Sequence, residues 1–395
     1  MDPSEVERVL LTRAASSAPH LNNSLKVIWP TASRTKVMKH LRSWISLGLV
    51  TPVLLAFALP AQEIVFAPKD GLRLTKTFEF TFVSTVDDME ISMDGEPMPA
   101  PPMEMNTTQN VSVTVTDHYT KVGEGRTLIL ERRFDSLGGT VELDINHPML
   151  GDMDMEAEST SELEDTTVVF TWNEEDEAYD AAYNEDSSDG DEDLLEDLSE
   201  NFDMRGLLPS GAVSVDDSWP LEAEVLMSLL APGGTLALIP QDAPAEMDMG
   251  AGIDFSTQLG NLDGDCSATF AGTKTSDEGT LAIIKLNFEV SSEKDITEQV
   301  AEATANSKQA EAMGMEQDIQ SADASFEFEL EGTLLWNIDG GHFHSLELTG
   351  TTEAVIDAAV SISMMGRTMD TETAMYISGE LTVTTSASAA EASDE

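Results

Sequence analysis

The chain has 395 residues and combines 74 acidic with 20 basic side chains, which gives a formal net charge of −54. Such a charge excludes proteins that bind nucleic acid or anionic lipid through basic patches, because the surface repels polyanions. Hydrophobic residues make up 41% of the chain, which is enough for a folded core. The single cysteine excludes an internal disulfide and any metal cluster built from cysteines.

A basic and apolar segment at residues 38–61 has the features of a signal peptide. Met38 begins a basic pentapeptide, and residues 45–58 form an apolar run of about 14 residues. That length is typical of a signal-peptide core and falls short of the ~20 residues that span a bilayer. We expect cleavage after Ala58 or Ala61, which leaves no stable membrane span. The alternative is a membrane anchor that stays attached.

The residues that precede Met38 are richer in basic side chains than the rest of the chain. A signal peptide normally begins a chain, so we interpret residues 1–37 as an over-extended N-terminus with Met38 as the initiator. The alternative is a genuine long cytoplasmic segment. The expected location is outside the cytoplasm: periplasmic, cell-surface or secreted.

Two β-rich parts and an acidic insertion make up the remaining chain. Residues 62–173 form the predicted N-terminal β half, in which Leu72, Leu74, Phe78, Phe80 and Phe82 follow a period-2 pattern and share one face. Residues 174–204 form an acidic, low-complexity insertion with fifteen acidic side chains and no basic one up to residue 203. We predict that this insertion is disordered, with one short helix at 194–202.

Residues 205–385 form the predicted C-terminal β half, followed by an acidic tail at 386–395. A capping-like start at Ser292 predicts a helix over 292–315. Apolar runs on both sides of residues 339–341 predict a hairpin. The expected fold is mainly β: one or more curved antiparallel sheets with one or two packing helices and a disordered acidic insertion.

Two groups of side chains are candidate metal ligands. The loop around Gly190 resembles a calcium loop of the EF-hand type, but it lacks the preceding helix and an aspartate at the first position. We expect at most millimolar calcium binding there, and plain solvation is the alternative. His342 and His344 lie two apart on a predicted strand and share a face, so they either ligate a metal or end a core face. The acidic candidates are Asp189, Asp191, Asp193 and Glu196.

Sequence motifs for catalysis or for a cofactor are missing. The chain contains no GxSxG, no HExxH, no phosphate-binding loop and no dinucleotide fingerprint. We therefore predict a protein that is not an enzyme and needs no cofactor. A hydrolase with two carboxylates among the many acidic residues stays open as an alternative.

Two short motifs in the C-terminal half carry a resemblance to a group of known proteins. Residues 208–219 read LPxxxVxVDDSW, and Gly332-Thr333 begins a hairpin that reaches Gly341. Both are similar to motifs of exported bacterial β-sheet proteins of unknown function, which carry an LP…VxVGDxW stretch, although Asp216 stands where that family has glycine. The resemblance covers residues 194–350. It implies a curved antiparallel sheet and no catalytic residues.

These observations together favour a non-catalytic envelope or secreted protein. It would bind an unknown protein partner or an apolar ligand on a face of the β-sheet. An acidic cation-binding or surface-structural protein is the first alternative, and the hydrolase is the second. Because the pattern places Trp219 at the end of a short strand, we also expect this side chain to be a buried anchor.

Overall fold

A computed structural model describes residues 61–99, 104–123, 125–147, 151–187, 190–241, 259–305, 316–364 and 367–390. The predicted over-extended N-terminus and the signal peptide before Ala61 lie outside these ranges, as do residues 391–395 of the tail.

Fourteen antiparallel strands form one sheet, which confirms the prediction of a mainly β fold. The longest strands have 22 or 23 residues and reach ~70 Å at ~3.3 Å per residue. The strands are Leu72–Met93 (β1), Glu96–Met98 (β2), Glu104–Gly123 (β3), Arg126–His147 (β4), Gly151–Thr160 (β5), Thr167–Asn173 (β6), Ala178–Tyr183 (β7), Ser218–Leu221 (β8), Ile239–Gln241 (β9), Asn261–Ser276 (β10), Gly279–Asp295 (β11), Glu316–Asn337 (β12), His342–Met364 (β13) and Arg367–Ala389 (β14).

The first and last long strands are neighbours in the middle of the sheet. The strand order is β7-β6-β4-β3-β1-β14-β13-β12-β11-β10-β8. Strand β1 pairs with β14 from Leu74 opposite Ala389 to Met93 opposite Thr371, which joins the two predicted β halves into one surface. The short strand β9 pairs with β5 at one edge.

One face of the sheet is covered over part of its length. In β1 every second residue from Leu74 to Val86 is buried, and these side chains meet buried side chains of the neighbouring strands. The cover consists of residues 62–67 and of the connection from 190 to 238, which includes a short helix, Val225–Leu230 (α1). The core therefore lies between this face and the cover.

Beyond the described cover, the long strands carry apolar side chains on one face and acidic side chains on the other. Cross-strand neighbours in an antiparallel sheet point to the same face, so the pairings of β1, β13 and β14 assign each side chain to one face. The face that continues the core carries Val86, Met89, Ile91, Met93, Ile356, Val360, Ile362, Met369, Met375 and Ile377. The opposite face carries Asp88, Glu90, Glu353, Asp357, Asp370, Glu372 and Glu380.

The described residues of the predicted acidic insertion at 174–204 include a strand and two 3-10 turns. Strand β7 pairs with β6 here, and a 3-10 turn spans Glu192–Leu195 in place of the helix predicted at 194–202. The charged side chains around 174–177 point into water while the backbone follows the sheet and the cover.

The helix predicted over 292–315 is shorter where the structure describes it. Strand β11 runs on to Asp295, and the helix spans Thr297–Ala305 (α2), while residues 306–315 lie outside the described ranges. Ser292 therefore lies within the strand, and the Thr297 amide at the start of the helix donates a hydrogen bond to the Asp295 carboxylate at 2.9 Å. The hairpin around residues 339–341 is confirmed, with Asn337 opposite His342.

Candidate functional site

An apolar cleft lies between the sheet and a strap of the cover that comprises residues 230–238. Strands β1, β3, β4 and β5 form the floor, and the strap forms the roof. The cleft has a volume of about 200 Å³, and none of the described residues that line it carries a charge. Its apolar lining residues are Phe78, Phe80, Val111, Val113, Val141, Leu230, Ala231, Pro232, Leu236, Ala237 and Leu238.

Two glycines allow the floor and the roof of the cleft to take their shape. Gly139 lies opposite Val111 on the floor, where a Cβ would stand 2.9 Å from the Asn110 carbonyl oxygen. Gly234 has a φ of +87°, and a Cβ there would collide with the Asp197 carbonyl. Only glycine adopts this conformation readily, so the bend of the strap depends on Gly234.

Gln109 is a buried polar side chain on the cleft floor. Its side chain is 7% exposed, and its cross-strand neighbours on the same face, Phe82 and Val141, are apolar. Among the residues that the structure describes, its side-chain oxygen Oε1 has no hydrogen-bond partner. An unsatisfied buried polar group costs about 1–3 kcal/mol, so the buried Gln109 oxygen is an energetically unfavourable feature of the cleft floor.

The strap is tied to the preceding acidic segment by backbone hydrogen bonds. The Ser199 amide donates to the Gly233 carbonyl at 2.7 Å, and the Gly233 amide donates to the Asn201 carbonyl at 3.0 Å. The Ser161 hydroxyl also donates to the Leu236 carbonyl at 2.6 Å. The position of the cleft roof therefore depends on where residues 199–201 are held.

A buried ionic cluster of Lys76, Asp117 and Arg132 holds that acidic segment on the sheet. Arg132 lies opposite Asp117 and donates to it through Nε at 2.7 Å and Nη2 at 3.0 Å. Lys76 Nζ donates to Asp117 Oδ2 at 2.7 Å. All three side chains are at most 1% exposed, so the cluster lies within the core.

Further donors of the two cations bind the backbone of the cover, and Lys76 Nζ also donates to the Tyr119 hydroxyl at 2.9 Å. Arg132 donates to the Ser199 and Glu200 carbonyls at 2.9 and 3.0 Å, and Lys76 donates to the Phe202 carbonyl at 2.9 Å. The carbonyls of these three residues lie in a connection without regular secondary structure, and side chains of the sheet supply their hydrogen-bond donors. This explains why the end of the acidic segment is buried and ordered.

Burial and charge act in opposite directions on the cluster. Burial by itself raises the pKa of Asp117, but the two neighbouring cations outweigh it and hold the pKa below its usual value. Burial lowers the pKa of Lys76, and Asp117 opposes that shift. The cluster therefore depends most on Asp117, because its removal leaves Lys76 and Arg132 buried without the carboxylate that both contact.

A second ionic group stands beside it in the cover. The carboxylates of Glu200 and Asp203 are buried, and both contact the Arg205 guanidinium. Burial raises the pKa of Glu200, and the nearby Asp203 carboxylate acts in the same direction. Arg205 thus provides a counter-charge just beyond the acidic stretch. Sequence composition had suggested that this stretch had no such partner.

The acidic metal candidates do not form a metal site in the described part of the chain. Asp191 caps the 3-10 turn by accepting a hydrogen bond from the Asp193 amide at 3.1 Å, and Glu196 is exposed. Asp189 lies outside the described residues. Within the described ranges, no group of three or more histidine, cysteine, aspartate or glutamate side chains is placed to hold a metal ion.

The two histidine candidates bind different partners. His342 is buried, and its Nδ1 lies 2.7 Å from the Phe343 carbonyl oxygen. His344 Nδ1 lies 2.9 Å from a carboxylate oxygen of Glu278. The register of β13 shifts between Phe343 and Ser345, so Phe343, not the histidine pair, continues the core face of Leu346. The expectation that both histidines end this face is wrong because the bulge changes the alternation.

Trp219 is half-buried rather than fully buried, so the expectation of a buried anchor was too strong. Its indole packs against the core, and its Nε1 donates to the Leu207 carbonyl at 3.1 Å. Val213 is buried, whereas Val215 is 38% exposed. The fully buried tryptophan of the described residues is Trp336.

Sequence reasoning missed the residues that define the cleft and its support. Lys76 stands in the apolar row of β1 between Leu74 and Phe78, and Gln109 stands in the same row of β3 as Val111 and Val113. A polar residue that interrupts a period-2 apolar row is a recognisable signal of a buried, paired or functional group.

Comparisons with known proteins add no family. No family model and no curated protein matches the sequence. In the described residues, no helix has the length and apolar character needed to cross a membrane.

Similar solved structures include three bacterial proteins with 8 or 9% sequence identity. The first is the outer membrane protein OprG from Pseudomonas aeruginosa, with a TM-score of 0.23 and coverage of 82% of this chain and 100% of that one. The second is the transport unit of the autotransporter AIDA-I from Escherichia coli, with a TM-score of 0.21 and coverage of 82% of this chain and 91% of that one. The third is an outer membrane channel from Pseudomonas putida F1, with a TM-score of 0.15 and coverage of 79% of this chain and 96% of that one. Scores this low do not establish a common fold.

Proposed function

We propose that the protein is a non-catalytic exported or envelope protein that binds a small apolar ligand in the cleft under residues 230–238. The observation that carries this proposal is the uncharged cleft between the sheet and the strap. Ligand sites in proteins are commonly concave and apolar with few polar groups, and this cleft has that composition. The resemblance to exported β-sheet proteins at residues 208–219 remains part of the proposal.

The size and position of the cleft favour a small molecule over a protein surface. A volume of about 200 Å³ admits a short hydrocarbon chain, whereas a stable protein interface buries on the order of 800 Å² on each partner. The cleft also lies next to Leu143, which is on the same face of β4.

The first prediction concerns filling of the cleft. Replacement of Val111 by phenylalanine places a ring on the cleft floor, and we expect the affinity for the neutral fluorescent probe N-phenyl-1-naphthylamine to fall about tenfold, since ~1.4 kcal/mol of lost contact gives that factor. The measurement is a fluorescence titration of the purified protein.

The matched control is the same substitution on the other face of the sheet. Val83 is 42% exposed and points away from the cleft, so Val83→Phe should leave probe binding unchanged. Circular dichroism melting of both variants separates loss of binding from loss of fold. If the parent protein does not bind the probe, or if both folded variants bind it equally well, a ligand site in this cleft is excluded.

A second prediction concerns export. The mature protein should begin after Ala58 or Ala61, because the apolar run at 45–58 is too short to span a bilayer and is followed by small residues at both positions. N-terminal peptide mapping of protein taken from its own host tests this. Peptides from residues 5–36 in the mature material would contradict it.

A further inference from the structure

An apolar surface continues the core face beyond the described cover, and we call it the far apolar face. In the middle of the sheet it comprises six side chains of β1, β13 and β14: Met89, Ile91, Ile356, Ile362, Met369 and Met375. All six are partly exposed, and none of them belongs to the buried core or packs against it. The described residues therefore supply no second layer over this face.

The far apolar face has a defined extent. On one side it runs over β3, β4 and β5, where the register places Met105, Ile145 and Met153 in one cross-strand row. On the other side it ends at β12, where the fully buried Ala322 lies beside the start of helix α2 and its amide donates to the Thr297 hydroxyl at 2.8 Å. At ~4.8 Å between strands and ~3.3 Å per residue, the strands between these limits present about 600 Å².

That area is the size of a protein interface. Two such faces bury about 1,200 Å² together, which reaches the lower end of specific protein interfaces. Apolar patches of this extent on a folded chain typically mark a site of interaction. Two sheets also commonly pack face to face through apolar side chains, with a layer ~10 Å thick between them.

Charge restricts what this face can contact. From residue 354 to 362 of β13 and from 369 to 377 of β14, the side chains on this face carry no charge, whereas carboxylates such as Asp357 and Glu372 lie on the opposite face. A charged partner would lose its hydration against the far apolar face without gaining a counter-charge. Two copies of this acidic chain repel each other through their carboxylate faces, so an association of copies uses the apolar one.

We infer that a second copy of the chain occupies the far apolar face, so that two sheets pack against each other as in a β-sandwich. A twofold axis through the face brings the same side chains of both copies together, and such a contact closes at two copies. Met89 and Met375 are directly opposite each other in the register, and the flexible methionine side chain adapts to an opposing surface. This inference is independent of the proposed ligand cleft, which lies under the cover.

Sedimentation velocity of the purified protein over a wide range of micromolar concentrations tests the association. We expect a dimer whose dissociation constant falls as the salt concentration rises from about 0.05 to about 0.5 M, because salt screens the repulsion between two acidic chains. Met375→Glu places a carboxylate in the middle of the face. It should raise the dissociation constant at least about a hundredfold, since each copy would then bury an unpaired charge.

The matched control is Tyr376→Glu, at the neighbouring position of the same strand. Tyr376 is 38% exposed and points to the opposite face, so this variant adds the same charge outside the interface and should associate as the parent does. Melting temperatures of both variants verify that they are folded.

Oxidation of methionines by hydrogen peroxide gives a reading that needs no variant. Met89 and Met375 should be oxidised more slowly at high protein concentration than at low, whereas the partly exposed Met227 of the cover should react equally fast at both. If Met375→Glu does not fold, this measurement decides, and equal rates for Met89 and Met375 at both concentrations overturn the inference.

Two results of sedimentation also overturn it. A dimer that Met375→Glu leaves intact has its interface elsewhere on the molecule. A protein that stays monomeric at every concentration has another occupant on the far apolar face, either a lipid, which native mass spectrometry would detect, or a part of the chain outside the described ranges.

Discussion

Replacement of Asp117 by asparagine should destabilise the protein by about 3–5 kcal/mol, the typical cost of breaking a buried ion pair on one side. The variant leaves Lys76 and Arg132 buried without a carboxylate in direct contact, because Asp117 is the carboxylate that both contact. The loss is a large share of the ~5–15 kcal/mol that usually separates folded from unfolded protein. The midpoint of urea unfolding measures it.

The effect should extend to the cleft. The two cations bind the carbonyls of residues 199, 200 and 202, and this segment is hydrogen-bonded to the strap. A partial loosening of the cluster therefore releases the roof before the sheet unfolds. Amide hydrogen exchange at Gly233 and Thr235 should become faster in Asp117→Asn under native conditions. Unchanged exchange at both positions would show that the cluster does not hold the strap.

An exposed ion pair of the same chemistry provides the control. Asp165 is 80% exposed and lies 3.5 Å from Arg133, so Asp165→Asn should cost no more than about 1 kcal/mol. A similar loss in both variants would mean that burial of the cluster has no energetic consequence.

The dependence on pH follows from the direction of the Asp117 shift. Its pKa is lower in the folded protein than in the unfolded chain, so the folded state holds the proton less tightly. The stabilisation is fully present above the unfolded pKa of about 3.9 and is lost as the pH falls from there through the folded value. The parent should lose stability in this acidic range more steeply than Asp117→Asn. Equal slopes would contradict the assignment.

Replacement of Trp336 by alanine should cost about 3–5 kcal/mol, as for other fully buried aromatic side chains. The indole is completely buried on β12, and its Nε1 donates to the Val65 carbonyl at 3.2 Å. It thus connects the core of the sheet with residues 62–67 of the cover. Hydrogen exchange of the Ala67 amide, which donates to Gly341, should accelerate together with the loss of stability.

Two further tryptophan variants separate the contributions. Trp336→Phe keeps most of the apolar contact and removes the hydrogen bond, so it should lose about 1 kcal/mol from that bond in addition to a small packing term. Trp172 is half-buried and packs against Tyr179 at 5.1 Å between ring centroids. Trp172→Ala should cost clearly less than Trp336→Ala. The reverse order would show that burial of Trp336 is not its main role.

Local sequence patterns were sufficient to predict the type of fold. The period-2 pattern at 72–82 identifies one mainly apolar face of a strand, and the turn at residues 339–341 identifies a hairpin, because both are determined by side chains close together in the chain. Composition alone could not predict the strand and the part of the cover that residues 174–204 form. Two distant cations, Lys76 and Arg132, and the nearby Arg205 bind this segment. Its own apolar side chains also pack on the core: Leu194, Leu195, Leu198 and Phe202.

Sequence by itself therefore determined an acidic, mainly β protein with a segment typical of export, since charge, composition and period-2 patterns are local properties. Only the tertiary structure decided that β1 and β14 lie side by side, that a cover lies on part of one face, and that a cleft with Gln109 lies beneath it. These features join residues separated by more than a hundred positions. Their free energy comes from burial and from the pairing of Asp117 with two cations on neighbouring strands, which no local pattern encodes.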